Sequence, residues 1–360
     1  MKASEYSGTY SFEYDKHPDA VYFSAKRAPI KIYGLYKPCE GEHFIRMPED
    51  VARATSQGVY DLNYNTSGGR LTFSTDSPYI ALHAIEPTFY NMPHMPRSGN
   101  AGFDVYECDE NGRQSYSGSL LAPAKSTLPY FADCNSRTTL GKMKNYVINF
   151  PLYERVDEVY IGVAPDARIE SFDGAYTNDA PILFYGSSIT QGGCVCRPGN
   201  AYPSYISRRF RRDFINLGFS GSGKAEPAIV DYMATLDMSI FVCDYDHNAP
   251  TVEYLENTHF ALYEKIRAAH QNVPYVMISK PDTIHHPDYI ERREVIRRSY
   301  ERALGLGDKN VYFIDGETLL AGDCADACTV DTTHPNDLGH YRMGARIGDV
   351  IEKIIKKAVD

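Results

Sequence analysis

Between residues 181 and 357, strand-like and helix-like stretches alternate five times, and few folds accommodate that rhythm. Apolar runs at 181–185, 214–217, 238–243, 273–278 and 310–314 are each short enough for a strand, and helix-like stretches near 200–212, 225–235, 251–270, 287–305 and 337–357 follow them in turn. Such alternation predicts a parallel sheet covered on both faces and joined by right-handed crossovers. Loops leaving the strands then gather along the carboxyl edge, where open α/β sheets bind ligands.

The first half reads differently. The segments VYFSA, IKIYGLY, GVYDLNYNT, RLTFSTDS, YIALHAIE, GFDVYECD, YVINFPLY and EVYIGVA are rich in Val, Ile, Tyr, Phe and Thr and are bounded by Gly, Pro, Asn and Asp. Several alternate apolar with polar, as half-buried antiparallel strands do, so an all-β sandwich is the economical expectation. A chain of 360 residues exceeds what one core usually organises. The polar, turn-rich stretch DARIESFDGAYTNDAP at 166–181 places the boundary between a domain at 1–178 and another at 179–360.

Composition narrows the partners. A net charge of -10 argues against nucleic acid and anionic membrane, and the local cluster Arg208, Arg209, Arg211 and Arg212 sits at a predicted helix end, where cations suit the dipole. The amino-terminal stretch lacks the apolar core of a signal peptide, and no segment approaches the ~20 apolar residues of a membrane span. The chain as given therefore reads as cytoplasmic, with no membrane partner. In that setting the eight cysteines default to free thiols. Cys194, Cys196, Cys324 and Cys328 leave two alternatives open, a disulfide between their loops or a four-thiolate zinc site, although CxC with CxxxC is not a common structural spacing.

The loops after the predicted strands carry the chemistry. They hold Gly186-Ser187-Ser188-Ile189-Thr190, then Asn216 to Gly221, then Asp244-Tyr245-Asp246-His247-Asn248, and before the last helix Asp331-Thr332-Thr333-His334-Pro335. This is the inventory of an acyl-transfer site. A serine hydroxyl needs a base, usually a histidine oriented by a carboxylate, and Asp331 and His334 are three residues apart at a helix entrance. The backbone N–H groups of Ser188 and Gly221 and the Asn248 amide are suitable oxyanion donors, Gly221 because close approach needs no Cβ. Each has a plainer reading: Ser188 as a helix cap, Asp331 likewise, and Asn248 as an Asx turn before Pro250. Asp244, Asp246 and His247 either touch substrate or pair locally. Tyr202 and Tyr245 are candidates for the floor of a sugar pocket, Lys224 and Glu226 for a solvated helix start, and the loop 91–96 for a rigid hairpin or a wall of the site.

These four blocks resemble the SGNH (GDSL-like) hydrolase superfamily in order and in position at the strand ends. The resemblance implies a nucleophile at Ser188, an oxyanion glycine at Gly221, an oxyanion asparagine at Asn248, and the acid and base at Asp331 and His334. Upstream, Gly102-Phe103-Asp104-Val105-Tyr106 is similar to the GxDLY-type motif of the β domain that precedes one subgroup of these esterases. The superfamily's first block usually reads Gly-Asp-Ser, and here Ser187 takes the aspartate position. The expected fold is thus an α/β flavodoxin-like three-layer SGNH hydrolase domain with a parallel sheet, preceded by an antiparallel β-sandwich, jelly-roll-like. The implied activity is a serine esterase removing short acyl groups, acetyl first, from carbohydrate or small-molecule esters, with no cofactor and no metal. A longer-chain esterase, thioesterase or lysophospholipase, and a non-catalytic glycan-binding protein, are the alternatives. The oligomeric state stays open, a homo-oligomer included.

Overall fold

The computed structural model describes residues 1–124, 129–136, 138–281 and 286–357. The chain forms two compact units, and each draws on both halves of the sequence. Met1–Arg46, Tyr64–Asn178 and Cys196–Gly199 make the first; Met47–Asn63, Asp179–Val195 and Asn200–Asp360 make the second. The expected division at 178/179 therefore acquires two exchanges, a helical segment from the first half and a four-residue loop from the second.

The first unit contains β1 (Val21–Ser24), β2 (Lys31–Tyr33), β3 (Arg70–Thr75), β4 (Tyr79–Ile85), β5 (Phe103–Cys108), β6 (Gln114–Leu120), β7 (Tyr130–Asn135), β8 (Lys144–Asn149), β9 (Glu158–Val163) and β10 (Ile169–Glu170). One sheet runs β1-β9-β4-β7; the other runs β10-β3-β8-β5-β6, with β2 beside β3. All their pairings are antiparallel. Phe23, Leu82 and Ile161 of the first sheet share one core with Phe73, Phe103, Val105, Tyr146 and Ile148 of the second, because alternate side chains of each strand point inward.

Within this unit the Gly102–Tyr106 motif has a defined task. Buried Asp104 accepts from Asn149 Nδ2 at 2.7 Å and from the Gly199 backbone N–H at 2.8 Å. Tyr106 Oη accepts from Arg197 at 2.6 Å, and the Arg197 guanidinium lies 3.9 Å from the Tyr116 ring centre. The strand thus grips the Cys196–Gly199 loop.

The sequence reading errs here at three places. GVYDLNYNT is not a strand: Gln57–Leu62 is an α-helix whose cap, Ser56, accepts from the Val59 N–H. Its Val59 is buried among residues of the second unit, so a β-favouring composition yields to a cap and a helical face. QSYSGSL and YFADCN are strands β6 and β7, passed over because each lies at the edge of its sheet and shows only a weak apolar signal.

The second unit holds β11 (Ile182–Gly186), β12 (Phe214–Gly218), β13 (Ile240–Asp244), β14 (Tyr275–Ile278) and β15 (Val311–Ile314). They pair in parallel in the order β12-β11-β13-β14-β15, the doubly wound arrangement of flavodoxin-like sheets. Leu183, Tyr185, Leu217, Phe241, Cys243 and Met277 pack on one face against the helices Pro227–Thr235, Val252–Ala269 and Pro287–Gly305. Ile182, Phe184, Val242, Val276 and Ile314 pack on the other against Tyr202–Phe210 and Asp337–Lys357. Both faces are covered, which explains why β11, β13 and β14 are buried at every position. No described helix is long and apolar enough to cross a membrane.

Candidate active site

β11 ends on Gly186, where only glycine fits because a Cβ would collide with an Asp244 oxygen. The chain then turns into the short helix Ser188–Gln191, capped by Ser187, whose Oγ accepts from the Ile189 N–H at 3.1 Å. The Ser187 N–H in turn reaches Thr190 Oγ1 at 3.2 Å. Ser187, at the position where the superfamily usually has aspartate, thus serves as a neutral cap. The buried acid beneath this turn comes from the neighbouring strand β13 instead. Asp244 accepts from the hydroxyls of Thr190 and Tyr202. Burial pushes its carboxyl up to about 7, against the downward pull of those hydrogen bonds.

Ser188 keeps 6% of its surface exposed at this edge. Its Oγ lies 2.9 Å from His334 Nε2, and His334 Nδ1 lies 2.7 Å from Asp331 Oδ2. A carboxylate can only accept, so Nδ1 carries the proton and Nε2 offers its lone pair to the serine hydroxyl. Asp331 does two jobs, since its Oδ1 also accepts from the backbone N–H groups of Thr333 and His334 at 3.0 and 2.7 Å. Burial acts to raise its pKa, but the hydrogen bonds from His334 and Thr333 outweigh it and hold the carboxyl below the usual aspartate range. The cap and orienter readings of Asp331 are therefore compatible. The turn is tight enough to put Thr332 at φ +66°, a left-handed conformation that a β-branched residue adopts rarely.

The two other expected donors sit in neighbouring loops. Asn248 ends the short helix Asp246–Asn248, and its Nδ2 donates to Phe219 O at 3.0 Å, across to the loop after β12. Gly221 has φ +65° and nothing within 4 Å of where a Cβ would project. The left-handed backbone, rather than a close approach, is what calls for glycine there. Close approach belongs to Gly223, whose Cβ would lie 2.4 Å from Gly186 O.

Several candidates fall away. Tyr202 and Tyr245 are buried, their hydroxyls engaged with Asp244 and Thr258, so neither floors a pocket. The Lys224 N–H donates to Glu226 Oε2 at 3.1 Å, a local helix-start contact. The loop 91–96 contains a turn closed by the Met95 N–H on Met92 O at 3.1 Å. None of the eight cysteines is joined in a disulfide. Cys194 is buried, and burial together with Asp331 pushes its thiol up to about 12. Among the described residues no group of three or more His, Cys, Asp or Glu side chains is disposed to hold a metal ion.

Sequence reasoning missed His340. It is fully buried in the last helix, where Nε2 donates to Gly193 O at 3.0 Å and Nδ1 accepts from the Tyr202 N–H at 3.2 Å. Burial lowers it to about 4, so it stays neutral and pins the segment that follows Ser188. Its spacing six residues after His334, on the inner face of an amphipathic helix, was the available signal.

A parallel α/β sheet presenting a serine, a histidine and an aspartate in relay at its carboxyl edge defines a serine-hydrolase class of protein. Comparison with known proteins agrees. Residues 179–356 match the GDSL-like lipase/acylhydrolase family, and residues 20–169 match the GxDLY amino-terminal region of SGNH-hydrolase-type esterases. The chain belongs to the SGNH/GDSL-like hydrolases that carry an amino-terminal GxDLY domain, and is an enzyme of the acylhydrolase type. A Bacteroides ovatus protein described as GDSL-like lipase is 29% identical with a TM-score of 0.83, covering 94% of this chain and 98% of its own. A salicylyl-acyltransferase from a tetracycline biosynthetic pathway shares the fold at 18% identity and TM-score 0.74, covering 93% and 98%. A family two carbohydrate esterase from Cellvibrio japonicus does so at 11% and 0.62, covering 94% and 98%. No curated protein matches the chain by sequence.

Proposed function

We propose that the protein is a serine esterase that removes short acyl groups, acetyl first, from carbohydrate or small-molecule esters. The observation that carries this reading is the relay from Ser188 Oγ through His334 to Asp331, at 2.9 and 2.7 Å. His334 takes the serine proton as Oγ attacks the ester carbonyl. The tetrahedral oxyanion meets the N–H groups of Ser188 and Gly221 and the Asn248 amide, a donor set of the kind in which each member is worth ~3 kcal/mol. His334 then protonates the departing alcohol, and a water activated by the same nitrogen clears the acyl-enzyme.

The carbohydrate part of the reading draws support from the fold shared with the Cellvibrio japonicus carbohydrate esterase. The test is hydrolysis of p-nitrophenyl acetate and butyrate by the protein and by Ser188→Ala, with a panel of acetylated sugars alongside. Loss of activity in the variant and preference for acetyl are expected. A folded protein inactive on every ester would remove the reading, and preference for butyrate would move it to longer acyl chains.

A further inference from the structure

Beside the relay lie two polar groups that the acyl-transfer chemistry does not use. His247, next to Asn248, has an 11% exposed side chain, and its Nδ1 lies 3.2 Å from Asp246 Oδ1. Since a carboxylate only accepts, the proton sits on Nδ1 and Nε2 presents a bare lone pair. That Nε2 is buried and has no hydrogen-bond partner among the described residues. A buried acceptor left so is destabilising, and a bound donor would satisfy it.

Lys280, two residues past β14, is only 5% exposed. Its ammonium lies 3.3 Å from the centre of the Tyr289 ring and donates to Thr333 Oγ1 at a long 3.4 Å, so it stands beside the residue that precedes His334. Only that one oxygen meets its three N–H bonds among the described residues. Hydrogen bonds tie the three together: Lys280 Nζ reaches the residue before His334, and Asp246, which orients the His247 ring, also holds the Lys280 backbone.

The scaffold beneath them is rigid. Asp246 Oδ2 accepts from the Lys280 backbone N–H at 2.9 Å, so one carboxylate orients His247 and ties the loops after β13 and β14. Arg292, nearly buried, donates to the carbonyls of Asp246 and Ala249 at 2.7 and 2.8 Å.

We propose that His247 and Lys280 form the subsite for the alcohol part of the substrate, and that this alcohol is a polyol. One hydroxyl donates to His247 Nε2, and an adjacent oxygen accepts from Lys280 Nζ. An aliphatic or aryl alcohol supplies neither group and leaves the His247 lone pair unmet and Lys280 with only its long contact to Thr333. This rests on the esterase reading and names the class of leaving group within it.

The test compares kcat/KM on an acetylated methyl glycoside with that on p-nitrophenyl acetate, whose leaving group has no second hydroxyl. His247→Phe and Lys280→Met are each expected to lower the ratio of the two at least tenfold. A wild-type measurement needs no variant to fold: in a series of monodeoxy acetylated glycosides, removal of one hydroxyl lowers kcat/KM at least tenfold, and His247→Phe becomes indifferent to that removal. Ratios unchanged within twofold, or a deoxy series without any sensitive position, overturn the proposal while aryl-ester hydrolysis continues. Failure of the esterase reading looks different, because the wild type then hydrolyses neither ester.

Discussion

Both units bury carboxylates where strands end, and the two are spent differently. In the first unit, Glu86 follows β4 and is completely buried, with Tyr130 Oη donating to it at 3.0 Å. Neighbouring Glu154 takes the Arg97 guanidinium at 3.1 Å, Thr88 Oγ1 at 2.7 Å and the Tyr90 N–H at 2.7 Å. In the second unit, Asp244 ends β13 under the turn that carries Ser188, and Asp246 follows under His247. Burial raises both Glu86 and Asp244, to about 8 and about 7. A perturbed carboxylate therefore does not mark a catalytic site by itself. What differs is the surroundings: Glu86 is closed in by its own unit, whereas Asp244 lies beneath the turn whose Ser188 meets His334.

That contrast breaks first if Ser188 is dispensable. Ser188→Ala and His334→Ala should each lower kcat on p-nitrophenyl acetate by about 10⁴-fold or more, and the double variant little further, because the two act as one unit. Additive losses would show two independent contributions and sink the relay. Asp331→Ala should cost less, roughly 10³-fold, since a 41% exposed carboxylate orients the ring in partial competition with water. Loss equal to that of Ser188→Ala would mean that Asp331 does more than orient. Asn248→Ala should lower kcat about 10²-fold with little change in KM, as removal of an oxyanion donor does; a change confined to KM would reassign the amide to substrate binding.

The second unit was the more legible half because its signals are local and repeated. Five apolar runs buried on both faces can hardly be anything but parallel strands, and a glycine followed by serines at the end of one of them announces a turn. Ser188, Asp331 and His334 could be named because the topology gathers strand-end loops and because the acid and the base stand three positions apart. Asp244 and His340 could be seen as residues but not as supports, since their partners Thr190, Tyr202 and Gly193 lie 54, 42 and 147 positions away. In the first unit, edge strands β6 and β7 carry no strong alternation. The Gln57–Leu62 helix hid behind β-favouring residues because its burial is decided by the core of the second unit, to which it belongs despite its place in the first half of the chain.

The smallest expected effect separates the two buried acids. Glu86 is held protonated chiefly by burial, with repulsion from Glu154 added, and its pKa rises from 4.5 to about 8. Between those values the unfolded chain has released this proton while the folded protein retains it, so stability falls as pH rises and levels off above about 8. Glu86→Gln keeps an acceptor for Tyr130 and has no proton to lose. Its Tm should decline less than that of the wild type between pH 5 and 8.5, with kcat unchanged at each pH. Asp244→Asn should show the same shallower decline over a lower window, from 3.8 to about 7, and should also lower kcat, because Thr190 and Tyr202 then hold a neutral amide under the serine turn. Thermal melts and initial rates across that pH range decide the matter. Parallel Tm curves for wild type and Glu86→Gln would show that Glu86 is ionised in the folded protein. An unchanged kcat in Asp244→Asn would make the two carboxylates equivalent and erase the contrast between the units.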